Sequence, residues 1–256
     1  MAMTGRMLKR VGIGLLALGM MGEAMARSLS PTRLTDFEHY TLALSWHPGF
    51  CHVEGRGRAE CATDTPAGLL VLHGLWPSLP QQLRQQGVAQ SEWWQAGCYH
   101  FSGEPRGGFC RLTPLTLEDR LQGRLEQAMP GTRSCLERHE YTKHAACFGL
   151  SAQDYFSTAL QLYRRINASD WSDFMRLRAG TMVARETLLA RFREEFRTDS
   201  SRALRLDCER REGVAWLTGI AIGIQRRALD AFPQPRSLAP LETGSCPSRF
   251  LIAAPS

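Results

Sequence analysis

The run Ser134-Cys135-Leu136-Glu137-Arg138-His139-Glu140-Tyr141-Thr142-Lys143-His144-Ala145-Ala146-Cys147 is the densest cluster of titratable groups in a chain of 256 residues. Ser134 stands three residues before Glu137, the spacing of a reciprocal helix-start pair, so the stretch reads as a helix capped by Ser134. On a helix, residues 139, 140, 143 and 144 are related by steps of three, four and five and share one face about 140° wide. Two imidazoles, a carboxylate and an ammonium converge there. A solvated face with ion pairs is the ordinary origin of such a run, but two features argue for chemistry. Beyond residue 26, Lys143 is the single lysine and every other basic residue is arginine. Lysine is a compact charge with a tunable pKa, suited to a developing anion where a flat guanidinium fork fits poorly. The second feature is Leu72-His73-Gly74-Leu75-Trp76-Pro77. There His73 follows the β-prone run Leu69 to Leu72 and precedes a glycine, so it reads as a strand-end residue, where site residues accumulate.

Outward from these two segments, His39 to Trp46 and Leu69 to Leu72 read as buried strands. Pro114 to Pro130 and Ala152 to Ile166 carry apolar residues at helical spacing, and Met182 to Phe196 reads as a further helix. Ala203 to Cys208, Val214 to Ile224 and Phe250 to Ala253 return to strand character. The mixture predicts an α+β fold with a mostly antiparallel sheet packed with helices. No Pro/Gly/Ser-rich linker divides the chain, and its 43% hydrophobic and 22% charged residues are those of an ordinary globular protein.

At the N-terminus, Arg6, Lys9 and Arg10 precede an apolar run from Val11 to Met21 and the small-x-small triplet Ala24-Met25-Ala26. This is the pattern of a signal peptide cleaved after Ala26, leaving residues 27–256 as one domain; an uncleaved anchor is the alternative. Removal of three basic residues and one acidic residue lowers the formal charge from +6 to about +4, mildly basic and compatible with a polyanionic substrate. All eight cysteines lie after residue 26, an even number that in an exported chain reads as four disulfides with 105 possible pairings. None is spaced C-x-x-C, so structural zinc has no support.

Metal chemistry at the histidines is weighed next, because His139-Glu140 opens like the H-E-x-x-H helix of zinc peptidases. The fifth position is Lys143, and His139 and His144 are too splayed for shared coordination, so no metal and no cofactor is expected. Histidines from separate elements with a lysine and a carboxylate suit proton transfer at phosphorus instead. RNA supplies its own nucleophile in the 2'-hydroxyl, whereas DNA lacks it and should not be cut.

The two segments, in order, resemble the active-site segments of the ribonuclease T(2) family. Further matches are Leu42-Ala43-Leu44-Ser45-Trp46 with Gly49-Phe50-Cys51, and Met129-Pro130-Gly131 before Ser134-Cys135-Leu136-Glu137-Arg138. The resemblance implies a ribonuclease T(2)-like α+β fold and metal-independent endonucleolytic cleavage of RNA through 2',3'-cyclic phosphates to 3'-phosphate ends. It implies His144 as general base, His73 as general acid, Glu140 and Lys143 as stabilisers of the phosphorane, and His139 as a phosphate contact. Trp76 would flank a base site, a core tryptophan being the alternative. The family further suggests Cys98–Cys147 and Cys208–Cys246; Cys51–Cys61 would close a short loop and leave Cys110 with Cys135. Ser78 stands where some relatives carry a base-reading aspartate, which implies broad base tolerance. Tyr141 replaces the family's usual tryptophan and Ala145-Ala146 its Gly-Thr, the small-for-small change at Ala145 being read as tolerated on a helix. The expectation is an active, monomeric, periplasmic or secreted enzyme with RNA as its partner and no membrane association after signal removal. A catalytically inactive RNA-binding module and a zinc-dependent hydrolase are the alternatives.

Overall fold

The computed structural model describes residues 29–55, 57–62 and 69–255. The signal sequence read from residues 1–26 lies outside the described residues. Six strands form one sheet: β1 (His39–Trp46), β2 (Leu70–Pro77), β3 (Thr181–Ala184), β4 (Leu204–Arg211), β5 (Val214–Gln225) and β6 (Arg249–Ile252). The order is β2-β1-β5-β6-β3, with β4 also paired to β5, and every pairing is antiparallel except β5 with β6. Around it run α1 (His47–Val53), α2 (Gln81–Gln85), α3 (Gln90–Ala96), α4 (Tyr99–Ser102), α5 (Asp119–Ala128), α6 (Leu136–His144), α7 (Ala152–Asn167), α8 (Asp170–Leu177) and α9 (Arg185–Glu195). The fold is α+β, as the patterning predicts.

The longest helix, α7, shows how the sheet is held. Ser151 caps its first turn by accepting from the Asp154 amide at 3.0 Å. Tyr155, Phe156, Ala159, Leu160, Leu162, Tyr163 and Ile166 then bury one face, each large apolar group stabilising by about 1.5–3 kcal/mol. Two buried phenols fasten this face to β2: the Tyr155 hydroxyl accepts from the Leu75 amide at 3.1 Å, and that of Tyr163 donates to the Leu70 carbonyl at 3.0 Å. The strand that carries His73 is thus held by hydrogen bonds on both sides of it.

Four disulfides join Cys51 to Cys61, Cys98 to Cys147, Cys110 to Cys135 and Cys208 to Cys246. Two of them bracket α6, Cys135 preceding its first residue and Cys147 following its last. No helix among the described residues is long and apolar enough to cross a membrane.

The structure corrects several local readings. The second strand does not stop before His73 but runs to Pro77, because a β-bulge absorbs His73: Ala43 pairs with Gly74 and Leu44 with Leu72. The segment read as one helix from Met182 begins as β3, whose Val183 side chain is buried where the strand pairs with β6, and turns helical at Arg185. Ser134 does not cap α6; its hydroxyl donates to Glu60, and the helix starts from Cys135 in the left-handed conformation (φ 60°). Because α6 ends at His144, Ala145 is a fully buried residue at its C-terminus, where limited space rather than helix propensity favours a small side chain.

Candidate active site

Glu140, on α6, is 1% exposed and sits at the centre of the cluster. One oxygen, Oε1, lies 3.4 Å from His73 Nε2. The other, Oε2, accepts from the Trp76 indole at 2.6 Å and lies 4.0 Å from His144 Nε2. The close approach depends on Gly74, since a Cβ there would fall 2.0 Å from Glu140 Oε2. The bulge turns His73 toward the carboxylate and leaves 39% of its side chain exposed to the cleft. The Trp76 ring lies between the imidazoles, stacked on His144 at 5.2 Å and edge-on to His73 at 5.4 Å.

This arrangement drives the proton affinities apart. Burial pushes the Glu140 carboxyl up, but the neighbouring imidazoles of His144 and His73 and the hydrogen bonds from His73 and Trp76 outweigh it, holding the group at about 2. Burial lowers His73 as well, yet the hydrogen bond and charge of Glu140 prevail and raise it above the ordinary value. His144 goes the other way: burial, aided by Lys143, His139 and His73 against the pull of Glu140, lowers it to about 3. Near neutral pH the site therefore holds an ionised carboxylate, a neutral His144 and a His73 disposed to carry a proton.

His139, beside this group, has partners of its own. It stacks on Phe109 at 4.1 Å, and its Nδ1 lies 3.3 Å from the Tyr99 hydroxyl. Burial lowers its proton affinity too. Its ring centroid is 6.5 Å from that of His144. Lys143 is half-buried and pairs with no carboxylate among the described residues. Its backbone carbonyl accepts from the Cys98 amide at 2.7 Å, beside the Cys98–Cys147 bond. Gly97 makes that approach possible: its φ is +50°, and a Cβ there would meet the Lys143 carbonyl at 2.4 Å. Tyr99, Phe109 and Gly97 were not legible as site residues, because only the folded loop brings them to α6.

His73, Trp76, His139, Glu140, Lys143 and His144 all face one cleft of about 940 Å³. Trp76 is half-buried in its wall, its nitrogen committed to Glu140 and its ring stacked on His144. Ser78 lines the same cleft, but its hydroxyl accepts from the amides of Glu38 and His39 at 3.1 and 3.2 Å. Among the described residues, one group of potential ligand atoms lies within metal-binding reach of one another, His47 with Cys51 and Cys61, and both sulfurs are tied in a disulfide. It contains none of the cleft imidazoles.

A mostly antiparallel sheet with flanking helices, held by four disulfides, is the architecture of the T2-type ribonucleases. The chain belongs to the Ribonuclease T2 family, whose model matches residues 37–232, and it is an endoribonuclease of that type. It is similar to Ribonuclease I of Escherichia coli (strain K12), with 35% identity over 247 residues, 90% of this chain and 91% of that protein. A Ribonuclease of Aeromonas hydrophila is 29% identical over 132 residues, covering 51% of this chain and 46% of that one. Among solved structures, the self-incompatibility associated SF11-RNase of Nicotiana alata superposes with a TM-score of 0.55 at 17% identity, over 85% of this chain and all 100% of the other. Ribonuclease MC1 from bitter gourd seeds gives 0.52 at 16% identity, over 84% and 100%. The last two show the fold.

Proposed function

We propose that the chain is an exported, metal-independent endoribonuclease of low base specificity that cuts RNA by transphosphorylation. The observation that carries this reading is the convergence of two imidazoles, His73 and His144, on one buried carboxylate facing a single cleft, where burial and that carboxylate shift their proton affinities in opposite directions. Neutral His144 takes the proton of the RNA 2'-hydroxyl, and the 2'-oxygen attacks phosphorus. The bond from phosphorus to the 5'-oxygen breaks, and His73 gives its proton to that leaving oxygen, leaving a 2',3'-cyclic phosphate. Water opens the ring to a 3'-phosphate with the two histidines in exchanged roles. Lys143 and the site formed around Glu140 stabilise the charge that builds on the phosphorane, and His139 contacts a non-bridging phosphate oxygen. Trp76 holds Glu140 and His144 in place and flanks a base.

Broad base tolerance is supported by Ser78, whose short hydroxyl is already engaged by two backbone amides and offers no carboxylate to a base edge. Export is supported by four disulfides among the described residues, with no free cysteine there. The proposed mature protein is one domain of residues 27–256, periplasmic or secreted, and monomeric.

The test is incubation of the oxidised protein with a mixed-sequence RNA oligonucleotide and its DNA counterpart in excess EDTA, with product ends identified by mass. RNA alone should be cut, giving 2',3'-cyclic ends. Cleavage of DNA, or dependence on restored metal, would overturn the mechanism. His73→Ala and His144→Ala should each lower turnover by about a hundredfold or more.

A further inference from the structure

The cleft is longer than the chemistry needs. From the cluster on α6 and β2 it crosses the sheet, past Thr41 on β1, to an arm lined by Arg185 at the start of α9, Arg202 just before β4, and Arg205 on β4. Thr41 pairs with Trp76 on one side and with Gly223 of β5 on the other, and the Gly223 amide donates to the Ala203 carbonyl at 2.9 Å. Three strand spacings of about 4.8 Å separate β2 from β4, so the arm begins about 14 Å from Trp76. At a stacked rise of about 3.4 Å per nucleotide this is about four nucleotides, and fewer for an extended strand.

The charges in the arm are unequally engaged. Arg205 is neutralised by Asp207, with Nε 2.8 and 3.1 Å from the two carboxylate oxygens. Arg185 donates through Nη1 to the Cys246 carbonyl at 2.9 Å and has no carboxylate partner among the described residues. Arg202 is exposed and its guanidinium pairs with nothing among the described residues, while its carbonyl accepts from the Leu241 amide at 2.8 Å. Its backbone is therefore pinned and its charge is free. Glu242 is the opposing charge in the arm, exposed and without an ion-pair partner among the described residues. Two guanidinium groups without a carboxylate partner among the described residues, carried on fixed backbone along a cleft that leads to the proposed phosphate-cleaving centre, suit the fork geometry by which arginine takes phosphate.

We propose that Arg202, with Arg185, binds a backbone phosphate of the RNA beyond the dinucleotide at the scissile bond, so that the preferred substrate is polymeric RNA. The inference rests on the ribonuclease reading above. Arg202 acts on binding and takes no part in bond breaking. The subsite reads no base and lends affinity to any sequence long enough to reach it.

The test compares kcat/KM on a dinucleoside monophosphate with that on an RNA dodecamer for the wild type, Arg202→Ala and Arg120→Ala. Arg120 is an exposed arginine on α5, outside the cleft, and removes the same charge. Arg202→Ala should lower the dodecamer-to-dinucleotide ratio by roughly three- to tenfold at low salt, and make the dependence of log(kcat/KM) on log salt for the dodecamer shallower by about 0.7. Arg120→Ala should leave the ratio unchanged. Equal loss on both substrates, no loss on the dodecamer, or the same change in Arg120→Ala would overturn the subsite while leaving the ribonuclease reading intact. A wild type that cuts neither RNA would overturn that reading itself.

Discussion

A single buried carboxylate organises the site, and its neighbours fix what each histidine can do. In kcat/KM, which reports the free enzyme, the proposed mechanism requires His144 unprotonated and His73 protonated. The rate should therefore rise as pH climbs through the lowered value of His144, about 3, and fall as pH passes the raised value of His73, above 6.5. A broad profile with an acidic plateau is the expected outcome of a pH-rate measurement on a dinucleotide. Glu140→Gln keeps an acceptor for the Trp76 indole but removes the charge that raises His73. The descending limb should move to lower pH, with turnover down by about a hundredfold; an unmoved limb would mean that Glu140 does not set the His73 proton. The chemical types of this site were legible in the sequence, because titratable side chains at helical spacing and one retained lysine announce themselves locally. The sharing of one carboxylate by Trp76, His73 and His144 was not, since it depends on how β2 lies against α6.

Among the elements, β2 and α6 matter most, and glycine governs how closely they meet. Gly74→Ala would set a methyl 2.0 Å from Glu140 Oε2 and 2.6 Å from the Trp76 nitrogen. It should destabilise the fold by about 1–3 kcal/mol and lower kcat/KM more than tenfold, read by thermal unfolding and by the dinucleotide assay. The Cys98–Cys147 bond closes a separation of 49 residues. By loop entropy its removal in a double serine variant should cost about 4 kcal/mol, measured as a shift in the urea midpoint. β1 was legible in the sequence because a continuous β-prone run has clear bounds, and α7 because its apolar period is helical. The bulge at His73 was hidden because a glycine after a strand reads as a stop, whereas here it leaves room for Glu140 inside a strand that continues. The short β3 was hidden because its four residues gain their conformation from pairing with β6.

For the molecule as a whole, the histidines link stability to pH. His144, His139, His47 and His39 are all lowered, burial being the largest cause in each. As pH falls below 6.5 the unfolded chain takes up protons that the folded one refuses, so stability drops from there toward the folded values. Glu140 adds stability above about 4.5 that is lost as pH falls toward 2. His73 opposes them, its contribution being full below 6.5 and lost as pH rises through its raised value. With four lowered histidines against the raised His73 and Glu137, the urea midpoint should decline from pH 7 to pH 4.5; a midpoint rising over that range would show the two raised groups dominating. Residues 29–256 contain one ε-amine, that of Lys143, half-buried at the cleft wall. The protein thus has a built-in address for covalent chemistry. In the proposed mature protein, an acylating reagent that spares guanidinium groups would find, besides the chain terminus, a single target, and it stands in the cleft wall, so the fraction of molecules labelled can be counted directly as the fraction of clefts modified.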